Sequence, residues 1–448
     1  MSPKTIKGKI VIKGQIMATS PLHIGCGDGE RSDLDVLLDQ NNKPYIPATS
    51  FVGVLRHTIL ESLSEKGQNK RLLDELWGFS ENTDGHQSLF QCSDLVCLTD
   101  SPEIRIRDGI KIDNSTGVVF EQGKYDYEIV ERETRFSLNM VFSYNSQNES
   151  LAKKVIATIY SLLENGKLQF GAKTNNGLGE VKLIVENTKI YEFKFTEKIH
   201  VYNWLIQNFT SQNEIQTIDL GEPYEINVEN FHIEAILKLK HSLIIRSYSE
   251  DPEMADATHI KSLEDWILTG TSLKGAIRSR AERILNTINQ NDEVFKQLFG
   301  DVDEKSPTKK AIKAKIRIKE VVLPRFIAEL QTRIKIDRFT GGTIETALFD
   351  SMPLFMDLSD KVLVINMFVR DCTFSEAGLL LLILKDLWTG DLAVGGEKNI
   401  GRGVFEGIKA RITWNKQPKI VIEKDLQQLA PTDKSKLQSF VDALKEGN

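Results

Sequence analysis

Two stretches far apart in the chain alternate apolar and polar residues with the period of a half-buried strand. They are Ile10-Val-Ile-Lys-Gly-Gln-Ile16 and Phe231-His-Ile-Glu-Ala-Ile-Leu-Lys-Leu-Lys240. Each is followed by a segment whose apolar residues recur at helical spacing. The first, beginning near Ser50, carries Phe51, Val54, Leu55 and Ile59 on one face. The second, beginning near Ser272, carries Leu273, Ile277, Ala281 and Ile284. Two further helices are predicted at Leu151–Glu164 and Ser375–Leu387, and each runs into a glycine-rich loop and a short strand.

The recurrence extends to individual residues. Ser50 and Ser272 lie 222 positions apart, as do Gly53 and Gly275, Arg56 and Arg278, and Gly78 and Gly300. Lys111-Ile-Asp113 recurs 224 positions later as Lys335-Ile-Asp337, and Gly171–Gly179 returns at the same offset as Gly395–Gly403. A single Gly-x-Gly means little, but landmarks that keep order and spacing indicate a duplication. The predicted arrangement is a first domain over residues 1–206, a polar junction over 207–229, a second domain over 230–416 and a C-terminal extension over 417–448. Within each domain the order strand, helix, strand, then strand, helix, strand predicts α+β architecture, a ferredoxin-like (RRM-like) sandwich with insertions.

At 448 residues the chain can bury a core in each half. Its longest apolar run, around Leu379 to Leu384, is far short of a membrane span. Met1–Ile10 carries lysines without an apolar core, so a cytoplasmic location is expected. Cys26, Cys92, Cys97 and Cys372 include no CxxC pair and read as free thiols. A net charge of −6 argues against a surface basic all over, but not against a basic groove on an acidic body.

The candidate chemistry is that of a phosphate backbone. With Ser272 as N-cap, Gly275 falls in the first turn, where close approach to unpaired N–H groups favours an anion. Lys274 and Arg278, four residues apart, share the adjacent helical face. A solvated basic face, with the glycine kept for helix packing, accounts for one such helix equally well. Recurrence of Ser-x-x-Gly-x-x-Arg as Ser50, Gly53 and Arg56 favours phosphate binding, with Val52 standing where the second copy has Lys274. The glycine loops add Lys173, Lys398 and Arg402, and neither loop has the Gly-Lys-Ser/Thr ending of a nucleotide-hydrolysing P-loop. Asp33 and Asp35 lie in the loop Asp28–Asp39, and Asp256 holds a similar place in Glu250–His259. Such loops are usually just solvated; beside a phosphate site they could hold a divalent cation. The histidines, His57 and His259 included, match no nucleophile motif.

Taken together, Pro21-Leu-His-Ile-Gly-Cys-Gly27, Asp33-x-x-Val36, Pro44–Arg56, Arg107–Asp113 and the Gly171–Gly179 loop resemble the RAMP superfamily of CRISPR proteins. Ser272–Arg278, Lys335–Gly342 and Gly395–Gly403 repeat that resemblance in the second half. Within the superfamily the chain is similar to backbone subunits of type III effector complexes, and most of all to the fused double-backbone subunit of type III-D variants. The resemblance implies that the helix starts and glycine loops grip a guide (CRISPR) RNA, with other type III subunits as partners. It implies that the segments Asn114–Glu131 and Arg338–Leu354 form hairpin thumbs that interrupt the guide–target duplex. It further implies cleavage of complementary target RNA at Asp33, where Asp-Leu-Asp-Val matches the family's Asp-x-Pro-Val, and at Asp256 after a one-residue shift. Attack by a ribose 2′-OH on the adjacent phosphate is the expected chemistry, with a divalent metal, Mg2+ by expectation, held by Asp33 and Asp35. Two alternatives stand beside it: a structural guide-binding subunit without catalysis, and a guide-processing nuclease using a histidine such as His57.

Overall fold

The computed structural model describes residues 5–64, 74, 76–81, 84–114, 116–226, 229–247, 255–290, 292–302, 311–323, 325–356, 362–415, 417–424 and 429–446. Residues 250–254 of the second acidic loop therefore lie outside the described residues. The chain divides into two compact units. The first comprises Met1–Gly109, Tyr125–Thr174 and Leu178–Val228; the second comprises Ile110–Lys124, Asn175–Gly177 and Glu229–Asn448.

The first unit is built on β1 (Gly8–Ala18), whose alternation sends Ile10, Ile12 and Ile16 into the core. Helix α1 (Ala48–Ser64) meets them there with Phe51, Leu55 and Ile59. In chain order β2 (Phe90–Cys92), β3 (Arg135–Tyr144), helix α2 (Glu149–Glu164) and β4 (Glu180–Leu183) follow. The sheet runs β2-β3-β1-β4 and every pairing is antiparallel. On its outer face Val11 packs with Tyr191 and Phe193. There Lys9 and Lys13 lie 4.6 and 3.5 Å from the rings of Trp204 and Phe209. Those rings close the face, so it is not the bare aromatic platform on which RNA-recognition sheets stack bases.

The second unit repeats the plan. Strand β5 (Phe231–Leu239) is central, and after it come helix α3 (Gly270–Thr287), β6 (Ile316–Ile318) and β7 (Leu363–Val369). Helix α4 (Phe374–Thr389) and β8 (Phe405–Trp414) complete it. The order β6-β7-β5-β8 is again wholly antiparallel. Helix α4 starts on a reciprocal cap between Thr373 and Glu376 and stops at Gly390 in the left-handed conformation, the two signals a helix end requires. The stretch after Gln417 adds strand Ile420–Glu423 to β8 and then helix α5 (Pro431–Glu446), which packs on α4. Phe440 of α5 is fully buried, 4.9 Å from the Trp414 ring and 5.0 Å from Phe374. Gly378 allows this approach, since a Cβ there would lie 2.1 Å from the Phe440 carbonyl.

Two long hairpins pair Ile104–Ile112 with Val119–Val130 and Gln331–Ile336 with Thr343–Met352. The Lys-Ile-Asp motifs end the outgoing strands, so the hairpins begin before Asp113 and Asp337 rather than after them. The reason is turn chemistry. The Asp113 amide donates to the Val118 carbonyl at 2.9 Å and receives Gly117's amide on its own carbonyl at 2.8 Å. Asp337 makes the same pair with Gly342 (2.8 Å) and Gly341 (2.9 Å). Its carboxylate also accepts the Phe339 and Thr340 amides, which hold it below the usual carboxylate range.

No helix among the described residues is long and apolar enough to cross a membrane. Phe440→Ala is expected to destabilise the second unit by about 3–5 kcal/mol, as other core phenylalanine truncations do. A denaturant titration that found the variant within 1 kcal/mol of the parent (~1 against ~3–5) would deny α5 a place in the core.

Candidate nucleic-acid interface

The acidic loop of the first unit is held by carboxylates with separate tasks. Asp35 is buried, and its two oxygens accept the amides of Glu30 (2.8 Å), Arg31 (3.2 Å) and Ser32 (2.9 Å) and the Ser32 hydroxyl (2.8 Å). Burial alone would raise its pKa; those hydrogen bonds outweigh it and drive the value far below the usual range. Asp35 is thus the knot of its own loop, and the expectation of a metal ligand there is corrected: no oxygen is left uncommitted. Asp33 is exposed and differs. One of its oxygens accepts the Asp126 amide at 2.9 Å, and the Asp33 amide donates to the Asp126 carboxylate at 2.8 Å. Its other oxygen has no protein partner among the described residues. No group of three or more His, Cys, Asp or Glu side chains capable of holding a metal occurs among the described residues. Mg2+ commonly takes only one or two carboxylates and completes its shell with water and phosphate oxygens, so Asp33 fits it and Asp35 does not.

The second unit holds Asp256 in the equivalent place. Asp256 accepts the amide of Asp350 at 2.9 Å, and Asp350 follows Asp126 by the 224 positions that separate the other late landmarks. This contact aligns Asp256 with Asp33 without reference to the loop's own sequence. Asp126 and Asp350 were not among the candidates from sequence, although their shared offset was a usable signal.

The glycine loops dock against the chain just before each acidic loop. Ala172 and Gly179 donate to His23 and Pro21 carbonyls, both at 2.8 Å; Gly396 and Gly403 donate to Ile244 at 2.8 Å and Ser242 at 2.7 Å. Gly179 and Gly403 have positive φ, and a Cβ would come within 2.1 and 1.8 Å of the Phe170 and Val394 carbonyls. These outer glycines serve the fold. Lys173 stands between the tyrosines of the returning hairpin strand, 4.7 Å from the Tyr125 ring and 4.2 Å from Tyr127, and burial lowers its pKa. Its counterpart in the second loop is Glu397, which accepts Arg246 (3.0 Å), Arg333 (2.7 Å) and Arg402 (2.7 Å). Arg402 is only 3% exposed, and its remaining nitrogens donate to Ser242 at 2.8 Å and Gln331 at 2.6 Å. Its expected RNA contact is therefore corrected: every guanidinium nitrogen is spent inside the unit. Lys398 is exposed.

Both helix starts lie earlier than expected. Thr269 caps α3 by accepting the Ser272 amide at 3.3 Å, so Ser272 is the third helical residue and Gly275 sits in the second turn. In α1 the first amide, Ala48, donates to Asp94 at 2.7 Å, so a carboxylate already occupies that start and Ser50 does not cap it. Gly53 and Gly275 face open space, for an added Cβ would meet no atom within 4 Å. Packing among the described residues therefore does not demand glycine at either place. Lys274 is pushed down to about 8, first by burial and then by Arg278. No carboxylate neutralises Lys274 or Arg278 among the described residues, and Arg278 lies 5.0 Å over the Phe295 ring. Arg56 faces Asp74 at 3.6 Å. His259 is buried and bonded at both ring nitrogens, by the Ile245 amide at 3.1 Å and the Ile267 carbonyl at 2.7 Å, while His57 is exposed.

No curated protein matches the chain significantly. The RAMP superfamily profile matches residues 15–182 and, separately, residues 236–406, which together make up most of the sequence. The two matched regions contain the paired acidic and glycine loops and the hairpins, and overlap the two sheets. The chain belongs to the RAMP superfamily of CRISPR-associated RNA-binding proteins and carries its domain twice in tandem.

Proposed function

We propose that the chain is a guide-RNA-binding backbone subunit of a type III CRISPR effector complex in the cytoplasm, cutting complementary target RNA at Asp33 and at Asp256. The observation that carries this reading is the equivalent seating of those two carboxylates, each on the amide of an Asp in its returning hairpin strand. Two cutting carboxylates in one chain would give two separate cuts in the target. The shared strand orders, β2-β3-β1-β4 and β6-β7-β5-β8, support reading each domain as ferredoxin-like. At the second hairpin tip Phe339 is 99% exposed, and apolar wedges of this kind can part stacked bases.

Guide binding falls to Lys274, Gly275 and Arg278, with Gly53, Arg56, Lys173 and Lys398 as further contacts to the backbone. The open flank of Gly275 lets a sugar-phosphate strand come close, and the unneutralised cations beside it supply the charge. Asp33, by its uncommitted oxygen, would hold Mg2+, which supplies positive charge for the phosphoryl oxygens. The chain's own share of the step is orientation. Asp33 and Asp256 stand at the hairpin bases, where target phosphodiesters opposite displaced bases would lie, and the 2′-OH attack needs that alignment.

In the assembled complex Asp33→Ala should remove one target cut and Asp256→Ala the other, with guide binding unchanged. Product mapping that finds every cut in place in the double variant would leave a structural backbone subunit. Guide affinity should also fall as pH rises. The Lys274 charge, disfavoured in the free fold, is lost as pH rises through about 8, well below the ordinary 10.5, and a bound phosphate would have to restore it. Lys274→Arg keeps its charge throughout, so its affinity profile from pH 7 to 10 should be the flatter of the two (roughly one titration lost).

A further inference from the structure

The proposed cuts depend on where Asp33 is held, and the hairpin strand Val119–Val130 holds it. Successive residues of a strand face opposite ways, and here both faces of 125–128 are in use. Tyr125 and Tyr127 stack at 6.1 Å and carry Lys173. Asp126 and Glu128, on the alternate face, reach the acidic loop. Glu128 is buried; it takes the Val36 amide at 2.9 Å and the Arg31 guanidinium at 3.0 Å on one oxygen. Asp126 and Asp33 exchange amide-to-carboxylate bonds in both directions.

That reciprocal pair fixes more than a single bond would. The bond from Asp126 to the Asp33 oxygen points the carboxylate; the bond from Asp33 back to Asp126 fixes the backbone from which it projects. Among the described residues the second unit has only the first of these. Asp256 accepts the Asp350 amide, and the residue in Glu128's place is Met352, which offers the loop no acceptor.

Resting on the reading that Asp33 cuts RNA, we infer that Asp126 is a positioning residue for the first site, seating Asp33 by accepting its amide. Its role is as a hydrogen-bond acceptor, so charge is not required of it. Asparagine keeps a carbonyl oxygen at the same reach and alanine keeps none.

The test is a pair of variants, Asp126→Ala and Asp126→Asn, each as the full chain in the assembled complex. The second cut, at the Asp256 site, is the internal control for folding and guide loading. Asp126→Ala should slow the first cut by roughly ten- to a hundredfold, the scale on which small misplacements of reacting groups act, and leave the second within about twofold. Asp126→Asn should restore the first cut to within a fewfold of the parent. Hydrogen exchange gives a second readout that needs no activity: amides over 30–36 should exchange faster in Asp126→Ala and at the parent rate in Asp126→Asn. The inference is overturned if the alanine variant cuts normally at the first site or loses both cuts. It is equally overturned if the asparagine variant is as slow as alanine, since Asp126 would then act through its charge. If Asp33→Ala itself cuts normally, the functional reading fails, and exchange over 30–36 alone decides whether Asp126 seats the loop.

Discussion

The structure turns on the two-sidedness of one β-strand. Residues 125–128 present tyrosines to the glycine loop and carboxylates to the acidic loop, so segments 140 positions apart in the chain, around Asp33 and Lys173, are fixed against a common support. Slipping that strand by one residue would exchange its faces, turning tyrosines on the acidic loop and carboxylates on Lys173. The register of the hairpin and the geometry of the site are therefore one specification. The turn set by Asp113 at the far end matters to that geometry for the same reason.

The duplicated plan was legible in the sequence because its punctuation is chemically forced. A left-handed residue lying against a carbonyl must be glycine, as at Gly179 and Gly403, and an Asp that opens a hairpin turn is hard to replace. Strand alternation around Ile10 and Ile233 was equally plain. What sequence did not yield was partnership over distance. Asp94 satisfies the start of α1 from 46 residues away, and Ser272 resembles a cap more than Thr269 does until the helix is seen. Arg402 looked like a basic residue in an exposed loop because its neutralising acceptor, Glu397, draws on two further arginines from distant strands. A cation's sign is visible in a sequence; whether it is already spent is not.

The two copies have diverged in opposite directions at matching positions. Where the first loop has a lysine on tyrosines, the second has a buried glutamate gathering three guanidinium groups. Breaking such a buried network by removing one partner leaves charge uncompensated, so the second loop is the more costly to rearrange. The first acidic loop, in turn, is anchored by Asp35 within it and by Asp126 and Glu128 opposite.

Gly53 and Gly275 carry a thermodynamic corollary. A glycine inside a helix costs about 1 kcal/mol relative to alanine, and at neither position does any neighbouring atom among the described residues require the missing methyl. The isolated protein thus forgoes stability it could have had at two helices and recovers none of it through its own packing. On the proposed function, that stability is given up for the close approach of a bound strand. Selection for a hardier free chain, for instance by screening expressed variants for heat resistance, would be drawn to replace these two glycines first.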